Sequence, residues 1–149
     1  MAVAMGASTT RRASPASEAW ALMFELLHVS KQRFVAIASE FDLSPPQVMA
    51  LRHLDPAEPK PMSELALALR CDNSNVTGIV DRLEDRGLVE RRAAEHDRRV
   101  KMLTITERGA EVRDRLAARL EEPPEPLASL SSEDQRALRD IMRRALDRD

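Results

Sequence analysis

Apolar residues recur at three- and four-residue spacing from Glu18 to about Glu40, with Trp20, Met23, Phe24, Leu27, Phe34, Ala38 and Phe41 forming one stripe that predicts a helix. Leu22, Leu26 and Ile37 lie partly off that stripe. A helix apolar on more than one side needs more than one partner, which suits a subunit interface. Ser44, Pro45 and Pro46 read as a helix start, a capping hydroxyl followed by prolines in the first turn. Val48, Leu51 and Leu54 then mark one face of a short second helix. The prolines of Asp55 to Pro61 predict a loop. Ser63 and Glu64 open a third helix, running to Arg70, with Leu65, Ala66 and Leu69 inward. After a break at Arg70 to Asp72, a fourth helix spans Asn73 to about Arg86 and stops at Gly87, a glycine where a helix end favours one.

Beyond Gly87 the period changes from helical to alternating. Leu88 to Arg91 and Val100 to Thr106 read as two short antiparallel strands, with Ala93 to Arg99 as a charged hairpin tip. Gly109 to about Glu121 is helical again, carrying Val112, Leu116 and Leu120 on one stripe, and the prolines at 123, 124 and 126 break it. Ser131 or Ser132 caps a last helix in which Leu138, Ile141, Met142 and Ala145 are expected to face inward. The fold class is therefore mainly α with a small β-hairpin wing. Residues 1–17 read as a disordered tail without the apolar core of a signal peptide, and 18–149 as a single domain.

Composition narrows this picture only a little. Aromatic residues make up 3% of the chain, so the core must come from Leu, Val, Ile, Ala and Met. No apolar run approaches the roughly 20 residues of a bilayer span. A single cysteine, Cys71, excludes an internal disulfide and fits a reducing cytoplasm. The three histidines have no metal-ligand spacing, and no glycine-rich phosphate loop, nucleophile elbow or HExxH pattern is present, so neither a metal, a cofactor nor an enzymatic activity is expected. His28 reads as a packed or surface histidine, with the lining of a ligand pocket as the alternative.

The third and fourth helices, joined by a tight turn, match a helix-turn-helix. At roughly 100° per residue, Val76, Ile79, Val80 and Leu83 face inward, Ser74, Gly78 and Asp81 face out, and Asn75, Thr77 and Arg82 flank them. Asn, Ser and Thr can bond base edges or phosphate oxygens. Gly78 in mid-helix costs about 1 kcal/mol relative to Ala, a cost that close approach to another backbone would justify. Net charge is −2, which by itself does not favour DNA, but residues 86 to 101 hold Arg86, Arg91, Arg92, Arg98, Arg99 and Lys101 against only Glu90, Glu95 and Asp97. Arginines at a hairpin tip can enter a minor groove. Asp97 is expected to orient a neighbouring arginine by a charge-assisted hydrogen bond.

The stretch from Ser63 to Ala66, the run Asp72 to Glu84 (DNSNVTGIVDRLE), the run Arg86 to Arg91, and Asp97-Arg98-Arg99 followed by Thr106 and Gly109 together resemble the MarR family, over roughly Trp20 to Leu146. The resemblance implies a homodimer whose terminal helices (about 18–41 and 109–147) interlock, with two winged lobes (about 44–108) on a pseudo-palindromic double-stranded DNA site. It implies that Ser74, Asn75 and Thr77 contact the groove or phosphates, that Arg98 or Arg99 enters the minor groove steadied by Asp97, and that Ser63 contacts phosphate as well as capping its helix. Asn73, Arg82 and Arg86 complete the candidate DNA-binding set. A ligand-responsive repressor follows, its small-molecule effector entering between the dimerisation helices and the winged lobe, with pocket residues unassigned. Family members often carry a basic residue where this chain has Gly78 and an acidic one where it has Ala94, and the segment Pro123 to Pro126 is not a family hallmark. The alternatives are a winged-helix protein-interaction module without DNA binding and an oxidant sensor acting through Cys71.

Overall fold

The computed structural model describes residues 14–147. In chain order the elements are α1 (Pro15–Glu40), α2 (Pro45–Arg52), β1 (Lys60–Pro61), α3 (Met62–Leu69), α4 (Asn73–Asp85), β2 (Val89–Ala93), β3 (Lys101–Ile105), α5 (Glu107–Glu121), α6 (Glu125–Ala128) and α7 (Ser132–Leu146). Most of the expected tail, residues 1–13, lies outside the described residues. Residues 14–17 do not: Ser14 caps α1 by accepting from the Ser17 N–H, so the helix starts at Pro15, ahead of the expected Glu18.

Two further elements escaped the sequence pattern. Lys60 and Pro61 fall in the segment expected to be loop, yet pair with Leu103 and Met102 and add an edge strand to the hairpin. Proline is tolerated there because an edge strand need not donate on its outer side. The sheet order is therefore β1-β3-β2, with β2 and β3 in register from Val89 opposite Ile105 to Ala93 opposite Lys101. The second is α6, a single turn that starts in the proline segment 123–126 and runs to Ala128. Prolines at the first helical positions cost nothing, since their N–H would have been unsatisfied anyway.

The core sits in the winged lobe. Val48 and Leu51 of α2, Leu65 of α3, Val76, Val80 and Leu83 of α4, Leu88, Leu103 and Leu116 of α5 are all at most 1% exposed. Each such side chain stabilises the fold by roughly 1.5–3 kcal/mol through burial. Gly87 (φ 67°) takes the left-handed conformation that ends α4, and its carbonyl accepts from the Thr106 hydroxyl, which in turn caps α5 at the Gly109 N–H. Gly109 is required by packing: a Cβ there would overlap the Leu88 carbonyl oxygen.

The terminal helices differ. Of α1 only Ile37 and Ala38 are buried, and α7 buries no residue. The expectation that Ile141 faces inward is corrected, since it is 52% exposed. Trp20 (59%), Phe24 (61%) and Leu27 (58%) are likewise open, with Trp20 and Phe24 in an edge-to-face pair 5.6 Å apart. The apolar stripes are real, but the described residues of one chain leave them open.

Three arginines tie the helices together by donating to carbonyls at helix C-termini on other elements. Arg33 reaches Arg119 O (2.8 Å), Arg113 reaches Leu54 O (2.8 Å), and Arg86 reaches Phe41 O (2.9 Å) and Asp42 O. Those carbonyls have no intrahelical partner, and a cation also suits the negative end of a helix dipole.

Candidate nucleic-acid interface

Helix α4 is capped by Asp72, a residue the sequence placed in the break before it. The Asp72 carboxylate accepts from the Asn75 N–H (2.8 Å), the Ser74 hydroxyl (2.7 Å) and the Asn75 amide (3.3 Å). These bonds favour the ionised form, the Ser74 bond most of all, and hold the carboxyl below its ordinary pKa. A charged cap also neutralises the positive end of the helix dipole. Thr77 donates its hydroxyl to Asn73 O at 2.7 Å. In the free chain, then, Ser74 and Thr77 have their only protons occupied inside the helix. Contact with a phosphate or base acceptor requires each hydroxyl to exchange one bond for another, whereas Asn75 keeps a second amide proton.

Position on α4 follows the expected faces. Val76, Val80 and Leu83 are fully buried and Ile79 packs against them, while Ser74, Asn75, Thr77, Gly78, Asp81 and Arg82 are exposed. Nothing lies within 4 Å of the place a Cβ on Gly78 would take. The glycine therefore answers no packing demand of its own chain.

Opposite the start of α4, the first turn of α3 and the stem of the wing close a cleft of about 240 Å³ lined by Ser63, Asn73, Thr77, Arg99 and Lys101, with Met62 and Val76 at its floor. This brings four of the sequence-derived candidates to one place. Ser63 is the second residue of α3 and the cap position is Pro61, which has no side-chain donor or acceptor to offer, so the capping role expected of Ser63 is corrected. Its hydroxyl is exposed at the mouth of the cleft.

Two other expectations change. Asp97 accepts from the Arg99 main-chain N–H at 2.9 Å, while its own carbonyl accepts from Val100 N–H at 3.0 Å. It shapes the turn of the tip through the backbone and, among the described residues, bonds to no guanidinium. Arg98 and Arg99, both exposed, have no ion pair among the described residues, nor has Arg82. Arg86 donates to the carbonyls at the end of α1 as described above, so its guanidinium is already engaged within the chain. Arg91 and Arg92, counted into the basic patch, are also paired, Arg91 with Asp81 and Arg92 with Glu90 (2.8 Å). Among the described residues, the cations of the wing without an ion pair are thus Arg98, Arg99 and Lys101. Sequence counting overstated the patch and missed Asp72, whose signal was a carboxylate two residues before Ser74 at a helix start.

Cys71 is half-buried against the core at the turn between α3 and α4, just after Arg70, which takes a left-handed conformation (φ 51°). Away from the reading face, α1, α2 and α5 enclose a cavity of about 330 Å³ lined by Ser30, Arg33, Phe34, Arg52, Leu120 and Glu121 among others. His28 is not part of it; its ring nitrogen lies 3.1 Å from the Gln32 amide on the surface of α1. No group of His, Cys, Asp and Glu suited to a metal ion occurs among the described residues, and no helix there is long and apolar enough to cross a membrane.

Residues 43–101 match the MarR family model. Among curated relatives, the uncharacterized HTH-type transcriptional regulator YfiV of Bacillus subtilis is 32% identical over 95 residues, 64% of this chain and 59% of YfiV. The transcriptional repressor MprA of Escherichia coli is 49% identical over 49 residues, 33% of this chain and 28% of MprA. The match thus spans under two thirds of either relative. Among solved structures, the transcriptional repressor CouR bound to a 23-mer DNA duplex is 29% identical, with a TM-score of 0.63 over 87% of this chain and 92% of that one.

Proposed function

We propose, from the match of residues 43–101 to the MarR family model, that the chain is a MarR-type ligand-responsive repressor that binds double-stranded DNA as a homodimer. The observation that carries the DNA reading is the cleft where Ser63, Asn73, Thr77, Arg99 and Lys101 converge beside the exposed face of α4. Hydroxyl and amide donors next to two cations match the demands of a phosphate oxygen, which only accepts. From that anchor, Ser74 and Asn75 face the major groove and Arg98 reaches the minor groove from the tip, with Arg82 on the flank. The likeness to CouR, solved on DNA, and to the repressor MprA supports this reading.

The dimer follows from the open apolar surface. Trp20, Phe24 and Leu27 on α1 and Ile141 on α7 are each more than half exposed, apolar surface that a second copy of α1 and α7 would bury. A two-fold axis would set the two α4 helices about 34 Å apart, one DNA turn, and dictate a pseudo-palindromic site. A small-molecule effector would enter the cavity between α1, α2 and α5, where the dimerising helix meets the winged lobe. It shifts the spacing of the lobes only if it binds the two geometries with different affinity.

The test is a fluorescence-anisotropy titration with a labelled duplex of the DNA upstream of the chain's own coding sequence, against a random duplex of equal length. Tighter binding to the upstream duplex, falling steeply with salt, is the expected result. Arg98→Ala with Arg99→Ala should weaken binding and lower the slope of log K against log salt by about 2. Binding to neither duplex at low salt refutes the reading and leaves the protein-interaction module.

A further inference from the structure

Adjacent arginines on β2 point to opposite sides of the sheet, and only one of them meets the reading helix. Arg92 is 70% exposed and pairs with its neighbour Glu90. Arg91, 24% exposed, lies under α4. One terminal nitrogen, Nη2, donates to Asp81 Oδ1 and stands 3.5 Å from Thr77 O, while its buried Nε has no hydrogen-bond partner and sits 3.6 Å from Glu84 Oε2. The Arg91 main-chain N–H donates to the other oxygen of Glu84 at 3.2 Å. One residue of the wing thus touches α4 at three successive turns, 77, 81 and 84.

We propose that Arg91 is a positioning residue that fixes the angle between recognition helix and wing, and that it touches no DNA. This rests on the reading of α4 and the wing as the DNA interface. The planar guanidinium is suited to the task, because its fork fixes direction as well as distance where an ammonium fixes neither. Asp81 lies on the same exposed stripe as Ser74 and Gly78, so its carboxylate would face phosphates if left alone. Arg91 cancels that charge and converts it into a link. Major-groove contacts from α4 and minor-groove contacts from the tip are then made at one fixed separation. Discrimination among sequences depends on that separation, whereas attraction to phosphate depends mainly on charge.

The two roles predict different data. The variants are Arg91→Met, Asp81→Asn and the pair together, titrated with the upstream and random duplexes at several salt concentrations. If Arg91 positions the wing, Arg91→Met lowers the upstream-over-random affinity ratio by about tenfold, within the range one lost specific contact commands, and leaves the salt slope unchanged. Asp81→Asn lowers the same ratio although it removes a negative charge from the DNA-facing side, and the double variant is no worse than Arg91→Met, because a link broken twice is lost once. If Arg91 instead contacts phosphate, Arg91→Met weakens both duplexes equally and drops the salt slope by about 1, and Asp81→Asn strengthens both. That outcome overturns the proposal. Asp81 is half exposed, so its near-isosteric asparagine variant is expected to keep the fold, and the ratio can be read from it even if Arg91→Met unfolds. A wild-type chain that binds neither duplex defeats the DNA reading itself, and the proposal with it.

Discussion

Two glycines inside helices should respond to alanine in opposite directions. Gly78 lies in the middle of α4 with open space where a Cβ would go, and Gly109 lies in the first turn of α5 against the Leu88 carbonyl. At Gly78 the only folded-state change is helical propensity, so Gly78→Ala should stabilise the protein by about 1 kcal/mol. For a chain of this size that raises the melting temperature by roughly 2–4 °C. At Gly109 the same propensity gain is outweighed. The added carbon meets the backbone at Leu88 and stands 2.8 Å from Ile105 Cγ1, and neither neighbour is a flexible chain end. Overpacking of this kind costs about 1–3 kcal/mol, and the backbone contact places it at the upper end, leaving a net loss of about 2 kcal/mol. Urea unfolding at one fixed protein concentration measures both, as shifts of midpoint with the slope unchanged. A destabilised Gly78→Ala would refute the argument, because nothing in the fold opposes that methyl group. If α4 approaches DNA closely at Gly78, the stabilised variant will also bind the upstream duplex less tightly, separating stability from affinity.

The remaining predictions concern the cap, the dimer and the α1 link. Bonds from Ser74 and Asn75 hold the Asp72 carboxyl below its ordinary pKa, so its contribution is full above the unfolded value of about 4 and is lost as pH falls through the lower folded value. Asp72→Ala should lower the urea midpoint near neutral pH, and that difference from wild type should shrink below about pH 4; a constant difference would mean the charge is irrelevant. Trp20→Asp with Phe24→Asp should convert a dimer to a monomer in light scattering while helical circular dichroism persists, and an unchanged mass would place the interface elsewhere. Arg86→Ala leaves the Phe41 and Asp42 carbonyls without their donor and should lower stability by about 1–3 kcal/mol, with the salt slope of DNA binding unchanged; a slope reduced by about 1 would keep Arg86 in the DNA-contacting set.

Periodicity was enough to define most of this fold. The stripes Val76, Val80, Leu83 and Val48, Leu51 named the inward faces of α4 and α2, because apolar side chains repeating every three to four residues line up on one side of a helix and leave water together; Leu54, expected on the same face of α2, is buried but lies beyond the helix end. Gly87 marked the end of α4 by the one backbone conformation that favours glycine. Ser63, Asn73, Thr77 and Arg99, which line one cleft, could be singled out for the same local reason, a helix start and a hairpin tip each being a short-range signal.

What the chain alone left open was the use of its charges. Arg86, Arg91 and Arg98 look alike in a sequence, yet one caps α1 from 45 residues away, one bridges the wing to α4, and one stands free. Asp97 and Asp72 look alike too, but the first shapes a turn and the second starts a helix. Long flexible side chains carry no periodic signal, since any surface position accepts them. Their partners are chosen by which carbonyl or carboxylate the folded chain brings within reach. Local pattern therefore determined the helices and the wing, and the tertiary structure decided which cations hold the protein together and which remain for a partner.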